Sequence, residues 1–348
     1  MKSYVDAGSD IIQTNTLNAN FYALKKYKLE DRLEDIIREG IHIARSVAGT
    51  KSYITLSVGP TGAMMEPFGE LEFEEALNIY KQIGRITLKY GVDAIHLETF
   101  TDLYEMKAAV LGLKEVCDIP IFSTLAFEQN GKTMMGDTPE VCSDILTRLG
   151  TAAVGANCGY GSENMIDVIS KIKSHTGLPV IAKPNVGLPQ QIDGITVYME
   201  EPAEFADVCK KLIEAGATII GGCCGTVPEH IRELRKVVDD NYSITKIIPE
   251  NWEEESLQEM AFDCLEEEPV KVCIIHNGMG DLSLAAKIFT RTVKVPIYLA
   301  SNDNKALEAA IRSCPAIPGI FIDSVCPRLS DCQIDVLMLK YGCKLFCL

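Results

Sequence analysis

The chain has 348 residues, 47% hydrophobic and 24% charged, which suits a soluble globular protein with a sizeable core and excludes general disorder. A formal net charge of −16 argues against nucleic acid as a partner, since phosphate binding needs clustered Lys and Arg. No apolar run approaches the roughly 20 residues of a membrane span, acidic residues stand where a signal peptide would be apolar, and 13 cysteines, an odd number, suit thiols or metal ligands in a reducing cytoplasm.

Short apolar runs alternate with amphipathic stretches of helical length, the pattern of parallel β/α units. Residues 1–9 read as the end of a helix and a small-residue turn. Strands are expected at 10–15, 53–58, 94–99, 121–127, 153–157, 180–184 and 218–222, with helices at 74–90, 102–116, 139–149, 162–175 and 202–215. Asp137-Thr138-Pro139-Glu140 and Thr226-Val227-Pro228-Glu229 each read as a cap residue followed by glutamate at the third helical position. The expected fold is therefore α/β: a (β/α)8 TIM barrel lacking its first strand in this chain, followed by a partial second α/β unit. Acidic runs at Glu253-Glu254-Glu255 and Glu266-Glu267-Glu268 mark a boundary, giving a barrel over 1–240, a linker over 241–268 and a smaller unit over 269–348. In that unit strands are expected at 270–276, 296–301, 319–323 and 344–347, too few to close a barrel alone.

The expected strand ends carry the chemistry, because catalytic groups of parallel barrels gather at the C-terminal face. One ends Asn157-Cys158-Gly159 and another Gly221-Gly222-Cys223-Cys224-Gly225-Thr226. Side chains alternate along a strand, so adjacent cysteines reach one ion only where glycine loosens the chain into a turn. Cys158, Cys223 and Cys224 suggest a three-thiolate zinc site whose fourth position stays open to a thiol substrate. The plainer alternative is buried cysteine packed as a small apolar residue. Glu98 follows an apolar strand and needs a cation, supplied either by the ammonium group of an amino acid or by Lys183. His96 reads as a hydrogen-bonded core residue, and Met64-Met65 as packing or as the donor side of the site.

Together, Thr14-Asn15-Thr16, Glu98-Thr99-Phe100, Ala156-Asn157-Cys158-Gly159, Lys183-Pro184-Asn185-Val186-Gly187 and Gly221 to Thr226 resemble the homocysteine S-methyltransferase family. The likeness is to the homocysteine-binding domain of cobalamin-dependent methionine synthase and spans residues 1 to about 240. It implies zinc on Cys158, Cys223 and Cys224, Glu98 and Thr14 at the amino-acid moiety of homocysteine, and Asn157, Asn185 and Gly225 shaping the site. The implied reaction methylates a zinc-activated homocysteine thiolate to methionine. Three cysteinates over-neutralise the dication, so the substrate sulfur keeps its negative charge for attack. The implied donor is methylcobalamin on a corrinoid partner, with a small donor such as S-methylmethionine as the alternative. In this family the first strand ends in an Asp-Gly segment, and no such strand precedes Met1. The competing reading is therefore a noncatalytic, degenerate zinc-binding fragment. Residues 269–348 more weakly resemble part of a pterin-binding barrel. Ala300 and Asp323 stand where that barrel has a carboxylate and an asparagine, so folate binding is not expected.

Overall fold

The computed structural model describes residues 1–192, 194–241, 273–276, 297–301, 303–314, 317–322, 331–343 and 345–347. Its first 241 residues build one parallel sheet from β1 (Ile11–Gln13), β2 (Tyr53–Val58), β3 (Ala94–Phe100), β4 (Ile121–Leu125), β5 (Ala153–Asn157), β6 (Val180–Lys183) and β9 (Ile219–Ile220), paired in that order. A small antiparallel hairpin, β7 (Gln190–Ile192) with β8 (Ile195–Val197), interrupts the series after β6. Strand residues such as Ile54, Leu56, Ile95, Leu97, Val154 and Ile181 are buried, as expected where helices cover one face of a parallel sheet and a curled interior the other.

The helices α1 (Lys2–Asp6), α2 (Phe21–Lys25), α3 (Leu33–Ala48), α4 (Phe73–Tyr90), α5 (Leu103–Lys114), α6 (Pro139–Arg148), α7 (Asn164–Lys173), α8 (Pro202–Glu214) and α9 (Pro228–Asn241) accompany the strands. The sheet curls until the first and last helices meet. Tyr4 donates its hydroxyl to the Thr226 carbonyl at 3.0 Å, and Arg235 of α9 reaches Asp10 before β1 at 2.8 Å. The strand layer does not close with them: β1 and β9 are the two edges of the sheet. Between them lies a cavity of about 790 Å³ that runs from Asp10 and Thr218 at one end of the strands to Gln13, Lys183 and Cys223 at the other.

Two expectations about helix starts are corrected by one residue of register. Thr138, not Asp137, caps α6 by accepting from the Val141 N–H, with Pro139 at the first helical position. Before α9 the Thr226 hydroxyl is buried without a partner, and His230 Nδ1 instead accepts from the Val227 N–H at 3.2 Å. A reciprocal capping box does occur, at Glu201 and Glu204 of α8.

A second parallel sheet orders β10 (Cys273–His276), β11 (Ile297–Ala300), β12 (Gly319–Ile322) and β13 (Leu345–Cys347), accompanied by α10 (Asn304–Ser313) and α11 (Asp331–Tyr341). The expected strands are found here with slightly different bounds. The acidic stretch of the expected linker and Asp323 lie outside the described residues. Helix α5 is buried along its whole length from Leu103 to Leu113, packed against α4 and, through Tyr104 and Lys107, bonded to the C-terminal end of α10. Its two buried charges are met: Glu105 accepts from Thr61 and Tyr80, and Lys107 donates to the carbonyls of Ile311 and Cys314. Arg312 adds charge-assisted bonds to Glu74 of α4 and to Glu115.

Close strand packing makes a specific demand at Gly155, in the middle of β5. A Cβ there would lie 1.9 Å from the Ile181 carbonyl oxygen, backbone that cannot yield without parting β5 from β6. Gly155→Ala is expected to cost at least about 1–3 kcal/mol, the usual range for overpacking, and to lower Tm. The exposed Gly177, whose Cβ would meet nothing within 4 Å, is the control in the same thermal unfolding series.

Candidate active site

Two chain reversals create the sulfur cluster. At the end of β5, Cys158 takes φ 60° and Gly159 φ 75°, so the chain turns in the left-handed region directly after the strand. Glycine is required at 159, since a Cβ would sit 2.5 Å from the Phe127 carbonyl oxygen. After β9 the chain turns again through Gly225 at φ 80°, packed against the Tyr198 ring. Both turns are fastened to the end of β6: Cys158 N–H donates to Lys183 O at 3.0 Å, Cys223 N–H to Pro184 O at 2.8 Å, and Cys224 N–H to Asn185 Oδ1 at 3.0 Å.

The Sγ atoms of Cys158, Cys223 and Cys224 consequently all lie within 4.8 Å of one another, with Cys158 and Cys224 at 4.0 Å. A tetrahedral ion bonded to sulfur at about 2.3 Å sets its sulfurs roughly 3.8 Å apart, so the cluster fits zinc with little adjustment. It is the only His, Cys, Asp or Glu grouping of this kind among the described residues. Asn185 donates to the Cys158 sulfur at 3.5 Å and Asn157 to the Cys223 sulfur at 3.8 Å. The bond from Cys223, aided by Asn185 and the Gly159 amide and opposed by burial, holds the Cys158 thiol down at about 5. The other two thiols are pushed up, Cys223 first by its bond to Cys158 and Cys224 first by burial. Tyr198 beside Cys224 is raised to about 12 by burial and by that thiol. Cys224 is exposed and the other two are half-buried, so the cluster is reachable from outside.

A polar network continues from the sulfurs along the inside of the sheet. Glu98 pairs with Lys183 at 2.6 Å and accepts from Gln13 at 3.0 Å and from the Ser57 hydroxyl at 2.5 Å. Gln13 also accepts from Lys183 and donates to His96 Nδ1 at 3.0 Å. With Nδ1 accepting, the His96 proton sits on Nε2 and points to Thr124 at 3.0 Å; Thr124 donates to Asn157 at 2.7 Å, which donates onward to Cys223. Burial, reinforced by the Lys183 charge, lowers His96 to about 3 and keeps it neutral. Burial alone would raise Glu98, but the charges of Lys183 and His96 and the bonds from Lys183 and Ser57 outweigh it, leaving the carboxyl at about 2.

The three cysteines expected to bind metal are therefore together, and His96 is the core residue it was expected to be. Of the two cations considered for Glu98, Lys183 is the one beside it. Thr14 is buried, bonded to Thr16 at 2.6 Å and accepting from the Ser57 N–H at 3.0 Å, so it lies against the segment whose hydroxyl meets Glu98. Met65 is core and Met64 exposed. Gln13, Ser57 and Tyr198 were not singled out from the sequence. Gln13 occupies an expected strand end and could have been found by that position, whereas nothing in the sequence marked Tyr198.

A family model described as homocysteine S-methyltransferase matches residues 1–238. The methionine synthases of Mycobacterium leprae and Mycobacterium tuberculosis are 32% and 33% identical over 249 residues, covering 68% of this chain and 21% of each relative. The chain thus corresponds to a minor part of those proteins. Among solved structures, the metallated and oxidised forms of the homocysteine methyltransferase MmuM from Escherichia coli superpose with TM-scores of 0.57 and 0.58 at 21% identity, covering 68% of this chain and 82% of theirs. That likeness is one of fold.

The ion pair predicts a specific acid sensitivity. Glu98 at about 2 lies below its ordinary 4.5, so its contribution to stability is full above pH 4.5 and is lost as pH falls toward 2. His96, lowered from 6.5 to about 3, adds a loss on acidification across that interval. Urea midpoints measured from pH 4.5 to 2 are expected to fall less steeply in Glu98→Gln than in the unmodified protein, because the Glu98 contribution is gone.

Proposed function

The chain belongs to the homocysteine S-methyltransferase family, and on that premise we propose that it methylates homocysteine to methionine with zinc held by Cys158, Cys223 and Cys224. The observation that carries this reading is the convergence of three sulfurs at two neighbouring strand ends, with Asn157 and Asn185 donating hydrogen bonds to two of them. Zinc held there would lower the pKa of a substrate thiol, so that its proton is released to solvent and a nucleophilic sulfur remains. Asn185 stabilises negative charge on Cys158, and the two asparagines fix the direction of both sulfurs. Glu98 is the partner for the substrate ammonium. Thr14 acts behind it, by orienting the Ser57 segment whose hydroxyl holds the carboxylate.

For the methyl donor we favour methylcobalamin on a corrinoid protein, because the exposed Cys224 leaves the cluster open to a macromolecular donor. We also propose the organisation set out from the sequence: a zinc barrel lacking one strand over 1–240, an acidic linker over 241–268 and a partial pterin-binding-like unit over 269–348 that does not bind folate. The open edges at β1 and β9 favour a second reading, a noncatalytic zinc-binding fragment.

Metal analysis and a methyl-transfer assay separate these readings. The purified protein is expected to carry stoichiometric zinc and to form methionine from homocysteine with methylcobalamin. Cys158→Ala, Cys223→Ala and Cys224→Ala should each lose most of the metal. Full zinc in all three variants removes the metal assignment. Zinc without methionine, from either methylcobalamin or S-methylmethionine, leaves the noncatalytic reading.

A further inference from the structure

The Lys183–Glu98 pair is placed unusually for a structural salt bridge. Its side chains are only 13% and 9% exposed, and Lys183 stands on the wall of the large cavity beside Gln13 and Cys223. Burying two charges costs desolvation that their mutual attraction repays only when the remaining donors and acceptors are satisfied. Here they are not all used. The Lys183 ammonium has three N–H groups and gives one to Glu98 and one to Gln13. The Glu98 carboxylate has about four acceptor positions and uses three, for Lys183, Gln13 and Ser57. One donor and one acceptor are left on adjacent atoms, with Nζ and Oε2 only 2.6 Å apart. That is the complement of a zwitterion, whose ammonium and carboxylate are carried on a single carbon.

We propose that Lys183 is a substrate-binding residue that takes the α-carboxylate of an amino-acid thiol while its partner Glu98 takes the α-ammonium. The inference rests on the reading of the cysteine cluster as the seat of homocysteine sulfur. The pair stays joined, and the ligand adds a second, antiparallel pair of charges to it. Gln13, on the same cavity wall, holds both residues, one through each end of its amide. The register that pairs Asn157 with Lys183 sets this receptor beside the turn carrying Cys158.

The test is calorimetric titration of the zinc-loaded full chain with homocysteine, with sulfanylbutyrate, which lacks the ammonium, and with sulfanylpropylamine, which lacks the carboxylate. In Lys183→Met, affinity for homocysteine and sulfanylbutyrate is expected to fall at least tenfold. Sulfanylpropylamine should bind as well as before or better, because its ammonium then supplies the cation that Glu98 has lost. Lys183→Arg should recover most of the homocysteine affinity, and metal content should be unchanged in both variants. Equal loss for all three thiols, or no loss for any, overturns the assignment and leaves the pair a structural bridge. If the unmodified zinc-loaded protein binds homocysteine no more tightly than the two analogues, the homocysteine reading itself has failed, and the inference with it. Should Lys183→Met not fold, the same titrations on Lys183→Gln apply the same criteria.

Discussion

Bringing the sulfurs of Cys158, Cys223 and Cys224 within 4.8 Å requires two strands to end in turns that a regular strand cannot make. The end of β6 supplies the fixed point for both. Lys183 and Pro184 give their carbonyls to the two cysteine turns, and Asn185 uses its amide oxygen on the Cys224 N–H and its amide nitrogen on the Cys158 sulfur. Three consecutive residues thus act as a splint between β5 and β9. The left-handed backbone at Cys158, Gly159 and Gly225 is tolerated because it is tied down in this way.

The hydrogen bonds leading into the cluster have one direction. The Gln13 amide donates to His96, His96 to Thr124, Thr124 to Asn157 and Asn157 to Cys223. Neutral His96 is what makes this possible, since a protonated ring would have no lone pair for Gln13 to meet. The relay therefore ends on the sulfur in a donor, Asn157, with each bond polarised in the same sense.

The strand order was legible because strands covered on both faces leave uninterrupted apolar runs. The site cysteines and Glu98 were legible because polar residues at the ends of such runs have no packing reason to be there. What escaped has equally physical causes. The hairpin at Gln190–Ile192 and Ile195–Val197 is mostly exposed and mixed in polarity, so it carries no burial pattern, and Tyr198 reaches Cys224 only because that hairpin delivers it. The cap signals were right in kind and off by a residue at Thr138, and before α9 the Thr226 hydroxyl makes no cap while His230, three helical positions in, does the work expected of Glu229. The partner of Glu98 was left open between a substrate and Lys183, because a spacing in sequence does not say which cation lies nearest in space.

Lys107 has a consequence for how the molecule comes apart. It is fully buried on α5, desolvated until its ammonium is held at only about 8, and its charge is answered by the carbonyls of Ile311 and Cys314 at the end of α10. Withdrawing α10 would strip those two acceptors from the Lys107 ammonium. The smaller sheet's helix thus supplies two of the acceptors on which a buried charge of the larger one depends, which ties the two together by more than apolar contact.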